Sequence, residues 1–122
     1  MKLEQALSIL GSDFDNFKID GNCAHSPNNS ICFRYSKMYD KAVWWTSEYF
    51  DRADSSDFVV IAIQDRGILV IPSYTIKEYW HTLNMVTLAS GRIKIRIKEE
   101  NGRIVLYNNK THPTFDVTEF LH

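Results

Sequence analysis

Glycine and proline are scarce, at five and three residues of 122. That excludes collagen-like and low-complexity chains, which are built from those residues. Cysteine is scarcer still, at two, so a disulfide scaffold is not expected and the expected compartment is a reducing cytoplasm. Long apolar runs are missing. Nothing approaches the ~18 residues of a membrane-spanning helix, and the stretch Met1 to Leu7 carries Glu4 where a secretory signal would be apolar. No membrane partner is expected. No charge of one sign dominates, with 14 Lys and Arg against 15 Asp and Glu. Residues 1–61 hold six bases and nine acids, a balance of −3, and residues 62–122 hold eight and six, a balance of +2. An asymmetry this mild carries no argument for a nucleic-acid partner by itself. The P-loop, the dinucleotide-binding glycine pattern and the nucleophile elbow are absent too.

What the chain has is apolar and aromatic mass. Hydrophobic residues make up 44% and aromatic residues 13%. A single domain over residues 1–122 can fill a core from these without a metal or a disulfide. Leu3, Ala6, Leu7 and Leu10 stand at helical spacing and Gly11 stops the run. Residues 16–20 and 31–35 alternate as half-buried strands do, and residues 21–30, rich in Gly, Asn, Ser and Pro, read as a loop between them. Ala42 to Trp45 is a third short apolar run, and Ser47 to Ser56 reads as a helical turn or a loop. Phe58 to Ile63 is continuously apolar, the pattern of a strand buried on both faces, and Ile68 to Ile71 returns as its hairpin partner across Asp65-Arg66-Gly67. Thr75 and Glu78 stand three apart, as a capping box would, ahead of a helix expected to run to about Leu88. Arg92 to Lys98 alternates strictly, with Ile93, Ile95 and Ile97 expected inward. Asn101-Gly102 is a hairpin signal because both turn positions want positive φ, and Arg103 to Tyr107 is the returning strand. Asp116 to Leu121 reads as a closing turn of helix. The expected fold is α+β: a mixed, largely antiparallel sheet with a few flanking helices, in one compact domain.

Three groups of residues bear on chemistry. Arg92, Lys94, Arg96 and Lys98 put four cations on one strand face, with Arg103 opposite. Such a row can follow a phosphate backbone. It can equally protect an edge strand from pairing with other chains. Trp44 and Trp45 can supply an aromatic platform for a base, and on a strand they point to opposite faces. Cys23, His25 and Cys32 fall short of the four ligands of a structural zinc site unless His81 or His112 completes it, so no metal site is expected. His81 is a conceivable general base without an evident partner.

The segment from Asp57 through the hairpin to the helix around Leu83 has a recognisable order: an acid, a buried strand, a tight turn, a second strand, a helix. Over residues 57–83 it resembles the core of the PD-(D/E)xK nuclease-like (restriction-endonuclease-like) superfamily. The resemblance implies a fold whose Asp and a later Glu hold Mg²⁺ while a Lys two residues on activates water, chemistry that hard cations and oxygen ligands suit. Asp57 takes the place of the Asp. Val70 falls in the Glu place and Pro72 in the Lys place, and neither can bind a metal or polarise water. Asp65 is a possible substitute in a turn. The resemblance therefore implies a degenerate site. The leading expectation is a non-catalytic nucleic-acid-associated domain with a degenerate nuclease-like core and no cofactor. The alternatives are a small phage or mobile-element type inhibitor that binds a protein partner, such as a nucleic-acid-processing protein, and a metal-dependent nuclease with migrated ligands, which would need Mg²⁺.

Overall fold

The computed structural model describes residues 1–11, 14, 16–82, 88–108 and 114–122. The elements in chain order are α1 (Leu3–Leu10), β1 (Lys18–Asp20), β2 (Cys23–His25), β3 (Ser30–Asp40), β4 (Val43–Tyr49), α2 (Phe50–Ser55), β5 (Phe58–Ile63), β6 (Gly67–Pro72), α3 (Ser73–Thr82), β7 (Arg92–Glu100), β8 (Arg103–Tyr107) and β9 (Phe115–Asp116), then a 3₁₀ turn at Thr118–Phe120. The fold is mixed α+β with strands predominating. Pairing is antiparallel except between β3 and β5, which run parallel. No described helix is long and apolar enough to cross a membrane.

β3 is the hinge of the architecture. Its first half carries β2 on one edge and β5 on the other, in register from Ile31↔Phe58 to Ser36↔Ile63. Its second half pairs with β4 (Lys37↔Trp45, Met38↔Trp44). β4 then leaves β3 and runs along β7 as far as Tyr49↔Arg92. Two half-sheets result, β1-β2-β3-β5-β6 and β3-β4-β7-β8-β9, joined through this one long strand.

The apolar pattern decides how the halves close. β5 and β6 are buried on both faces, as their continuous apolar runs, Phe58 to Ile63 and Ile68 to Ile71, require. Val59, Ile61, Ile63, Leu69 and Ile71 enter the main core with Ile93, Ile95 and Ile97 of β7. The alternate residues Val60, Ala62, Ile68 and Val70 face the other way and receive Leu3, Ala6 and Leu7 of α1. The spacing of those helix residues is three and then one, a single stripe. Ile76 and Tyr79 of α3 complete the main core, where burial pushes the Tyr79 phenol above its ordinary pKa. The final residues close the circuit: His122 and Ile68 exchange backbone hydrogen bonds at 2.8 and 3.1 Å, and Val117 donates to Ile104 at 2.9 Å.

Several local expectations change. Cys23 to His25, expected in a loop, form a strand, because the turn at Gly21 (φ 63°) folds them onto β3. β3 runs five residues past Tyr35, held by β4. The capping box is not used. α3 starts at Ser73, whose N–H donates to the Asp57 carbonyl and whose hydroxyl donates to the Ser56 carbonyl, and Thr75 is buried within the first turn. A tertiary tie thus overrides the local signal. α3 is assigned to Thr82; residues 83–87, over which the helix was expected to continue, lie outside the described residues, and Leu88 is not helical. The Asn101-Gly102 turn has φ of 53° and 77°, as expected. The closing helical turn is 3₁₀.

Candidate nucleic-acid interface

The outer face of the second half-sheet gathers the cations and aromatics. On β7, Ile93, Ile95 and Ile97 are fully enclosed, so the intervening Arg92, Lys94, Arg96 and Lys98 share the opposite face. β7 lies between β4 and β8. Protection of an edge strand therefore does not explain the row. Each of these side chains is half-buried, and the heads of three of them lie along a ring. Arg92 sits over Tyr49 (4.8 Å), Lys94 over Trp45 (4.9 Å) and Lys98 over Tyr107 (5.0 Å). Contacts of this kind are worth about 0.5–1 kcal/mol at exposed sites.

Cross-strand register adds residues that the linear pattern did not single out. Lys37 of β3 is opposite Trp45 of β4, Trp45 opposite Arg96 of β7, and Arg96 opposite Tyr107 of β8. Cation and aromatic alternate across four strands at neighbouring-strand spacing of ~4.8 Å. Tyr39, at the end of β3, is 76% exposed. With Trp45, Lys94, Arg96 and Tyr107 it lines a groove of about 420 Å³.

Trp44 and Trp45 do point to opposite faces, and only one can serve as a platform. Trp45 is 45% exposed. Trp44 is 2% exposed, and its indole N–H donates to the Gln64 carbonyl at 2.9 Å, so the platform expected there is instead core. The basic set divides as well. Lys98 pairs with Glu100 at 2.7 Å and Arg103 with Asp116 at 2.8 Å. Arg92, Lys94, Arg96 and Lys37 form no ion pair with a described residue. Arg96 donates to the Asn108 carbonyl.

A second concavity adjoins the groove. Between the end of β2 and the start of the β3–β4 pairing, one edge of β3 has no strand beside Arg34 to Ser36. The resulting cleft measures about 670 Å³. Phe33 to Tyr35 are its floor, the start of α1 and the β1–β2 turn form one wall, and Trp45 to Ser47 form the other. Lys2, Arg34 and Lys37 line it against one acid, Glu4. Trp45 is common to cleft and groove.

Beneath the cleft lies a buried ion cluster. Glu48 is fully enclosed, Arg34 donates to both its oxygens (Nε 2.9 Å, Nη2 3.1 Å), the Tyr49 N–H donates at 2.7 Å, and Arg52 approaches to 3.7 Å. Bonding to Glu48 is the main reason the Arg34 pKa stands above its ordinary value. Burial, with Glu48 adding to it, pushes the neighbouring Cys32 thiol up to about 12. The alternation that turns Trp44 inward also turns Thr46 and Glu48 inward, so parity was the available signal for this acid.

The remaining expectations concern metal chemistry. Asp57 accepts the Ser30 N–H at 2.7 Å, so one carboxylate oxygen closes the start of β3. Val70 packs in the α1 cluster and Pro72 ends β6 opposite Phe58. Cys23 and Cys32 are direct cross-strand partners, and His25 pairs with Ser30. His81 is exposed on α3, and His112 lies outside the described residues. Among the described residues no group of three or more His, Cys, Asp or Glu is placed to hold a metal ion. Compared with known proteins, the chain matches no family model, no curated protein and no solved structure.

Proposed function

We propose that this protein binds nucleic acid without hydrolysing it, through the outer face of β3, β4, β7 and β8, on a core of degenerate nuclease-like type. One observation carries the reading: Trp45 stands 45% exposed between Lys37 and Arg96, with the Lys94 ammonium 4.9 Å from its ring. Cations with no acid partner among the described residues meet phosphates, and each contact releases counterion. An open indole among them offers a surface that every base can stack on. The hairpin-then-helix order of β5, β6 and α3 supports the likeness to the nuclease-like core. Val70 and Pro72, where that chemistry needs a carboxylate and an amine, support binding over cleavage.

The test is binding of labelled DNA and RNA at rising salt, with Lys94→Gln/Arg96→Gln beside the parent. The parent should bind at low salt with affinity falling steeply as salt rises. The double variant should bind all sequences more weakly, with a salt slope smaller by roughly 1.5–2 units. Its stability should fall by about 1–2.5 kcal/mol, for the lost Lys94–Trp45 contact and the lost Arg96 bond to the Asn108 carbonyl. Neither Mg²⁺ nor Mn²⁺ should bring cleavage. Absence of all binding at low salt would pass this face to a protein partner, and metal-dependent cleavage abolished by Asp57→Ala would restore the nuclease.

A further inference from the structure

We infer that the cleft beside β3 is a site for one unpaired nucleotide, so that the interface selects single strands over duplex. This rests on the nucleic-acid reading above and adds the form of the ligand. The β3 edge is left open over Arg34 to Ser36 because β2 ends before it and β4 turns away to follow β7. A concavity is therefore built into the strand order and does not depend on a loop.

The cleft's size and lining match a nucleoside phosphate. Its volume of about 670 Å³ falls within the ~300–1,000 Å³ typical of sites for small organic ligands. A nucleotide needs a flat apolar surface for its base and cations for its phosphate. Trp45 supplies the first from the β4 wall, and Lys37 and Lys2 supply the second from opposite sides. Arg34 adds a donor whose position is set by two bonds to buried Glu48. A guanidinium held in this way loses little side-chain freedom on meeting a ligand.

The strand's path follows from Trp45. It walls both the cleft and the groove that holds Tyr39, Lys94 and Arg96. A chain whose base enters the cleft has its neighbouring phosphates in the groove. In a duplex the base faces are stacked on one another and cannot reach an indole without unpairing. Phosphate contacts to the β7 cations remain open to duplex, so the two halves of the face make separable contributions.

The experiment uses the full chain with short single-stranded oligonucleotides, both oligo-dT and oligo-rU, and a blunt duplex of equal length. Affinity is read by anisotropy and Trp45 by fluorescence. The expected result is at least about ten-fold tighter binding of the single strand, equivalent to ~1.4 kcal/mol. Quenching should accompany the single strand alone and disappear in Trp45→Phe, which assigns the signal among the three tryptophans. Trp45→Ala and Lys37→Gln should remove the single-strand preference, with affinity for the single strand falling much further than affinity for the duplex. Both residues are exposed, and a cooperative thermal transition, lowered in Trp45→Ala by no more than the lost Lys94 contact, confirms that each variant is folded. Equal dT and rU affinities mean that base and phosphate suffice, and a difference means that the sugar is read too; both support the site. Equal affinity for single strand and duplex in the parent, or a preference that survives Trp45→Ala, overturns the inference and leaves the nucleic-acid reading standing. No binding to any of the three probes removes that reading and this one together.

Discussion

Glu48 lies on β4 with its carboxylate enclosed, held by two bonds from Arg34, one from the Tyr49 N–H and a longer approach by Arg52. A carboxylate in such a place persists because its partners replace the water it has lost. Arg34→Met removes two of those bonds and leaves Glu48 with the Tyr49 N–H and with Arg52, at 3.7 Å, as its nearest cation. The expected cost is about 3–5 kcal/mol, the range for breaking a buried pair from one side. Glu48→Gln should cost less, because an amide oxygen can still accept from Tyr49 and Arg34. Urea unfolding of the two variants checks the order, and a smaller loss for Arg34→Met would show that solvent reaches Glu48. In the sequence, this acid is one charge among fifteen; only the parity of β4 marks it as inward.

Among the elements, β5 is the one on which both apolar clusters depend. Ile61 packs into the main core while its neighbours Val60 and Ala62 meet α1. Ile61→Ala should cost about 2–5 kcal/mol, the range for emptying a fully packed site, measured as a lowered unfolding midpoint with the same denaturant slope. An unchanged midpoint would place Ile61 outside the core. This strand was legible because six apolar residues in a row demand burial on two faces. β2 was not legible. Cys23, Ala24 and His25 have no alternation of their own strong enough to outweigh the Gly and Asn beside them, and their strand form comes from pairing with Ser30 to Cys32. The start of α3 has the same origin, since Ser73 bonds to Ser56 and Asp57 across the sheet rather than to its own helix.

At the scale of the whole molecule, the segment 115–122 joins β8 to β6. Its fixed point is Asp116. That carboxylate accepts the Thr118 hydroxyl at 2.6 Å, the Thr118 N–H at 2.9 Å and Arg103 Nε at 2.8 Å. These bonds hold its pKa down at about 2. Thr118 Oγ1 in turn accepts the Ile104 N–H at 2.9 Å, which ties the turn to β8. A carboxyl with a depressed folded pKa contributes stability that is complete above its unfolded pKa and is lost as pH falls through the folded one. The parent should therefore lose stability relative to Asp116→Asn between about pH 4, near the unfolded value, and pH 2. Below that the two curves should converge. Urea midpoints across this range test the claim, and a constant difference down to pH 2 would contradict it. Closure also requires Gly67, since a Cβ there would lie 2.6 Å from the His122 carbonyl oxygen.

Local chemistry alone determined the helix of α1, the β5–β6 hairpin, the alternation of β7 and the turn at Asn101-Gly102. In each, the residues that make the pattern lie within a few positions of one another, and burial or turn geometry answers to that spacing. The opposite facing of Trp44 and Trp45 is of the same kind. Which tryptophan is open, which cations pair with an acid, and the meeting of Lys37, Trp45, Arg96 and Tyr107 in one row were decided by tertiary structure. Those facts depend on register between strands up to 70 residues apart in the chain, as Lys37 and Tyr107 are. The cleft depends on where β4 leaves β3, and the strand that draws it away, β7, lies more than forty residues further along the chain.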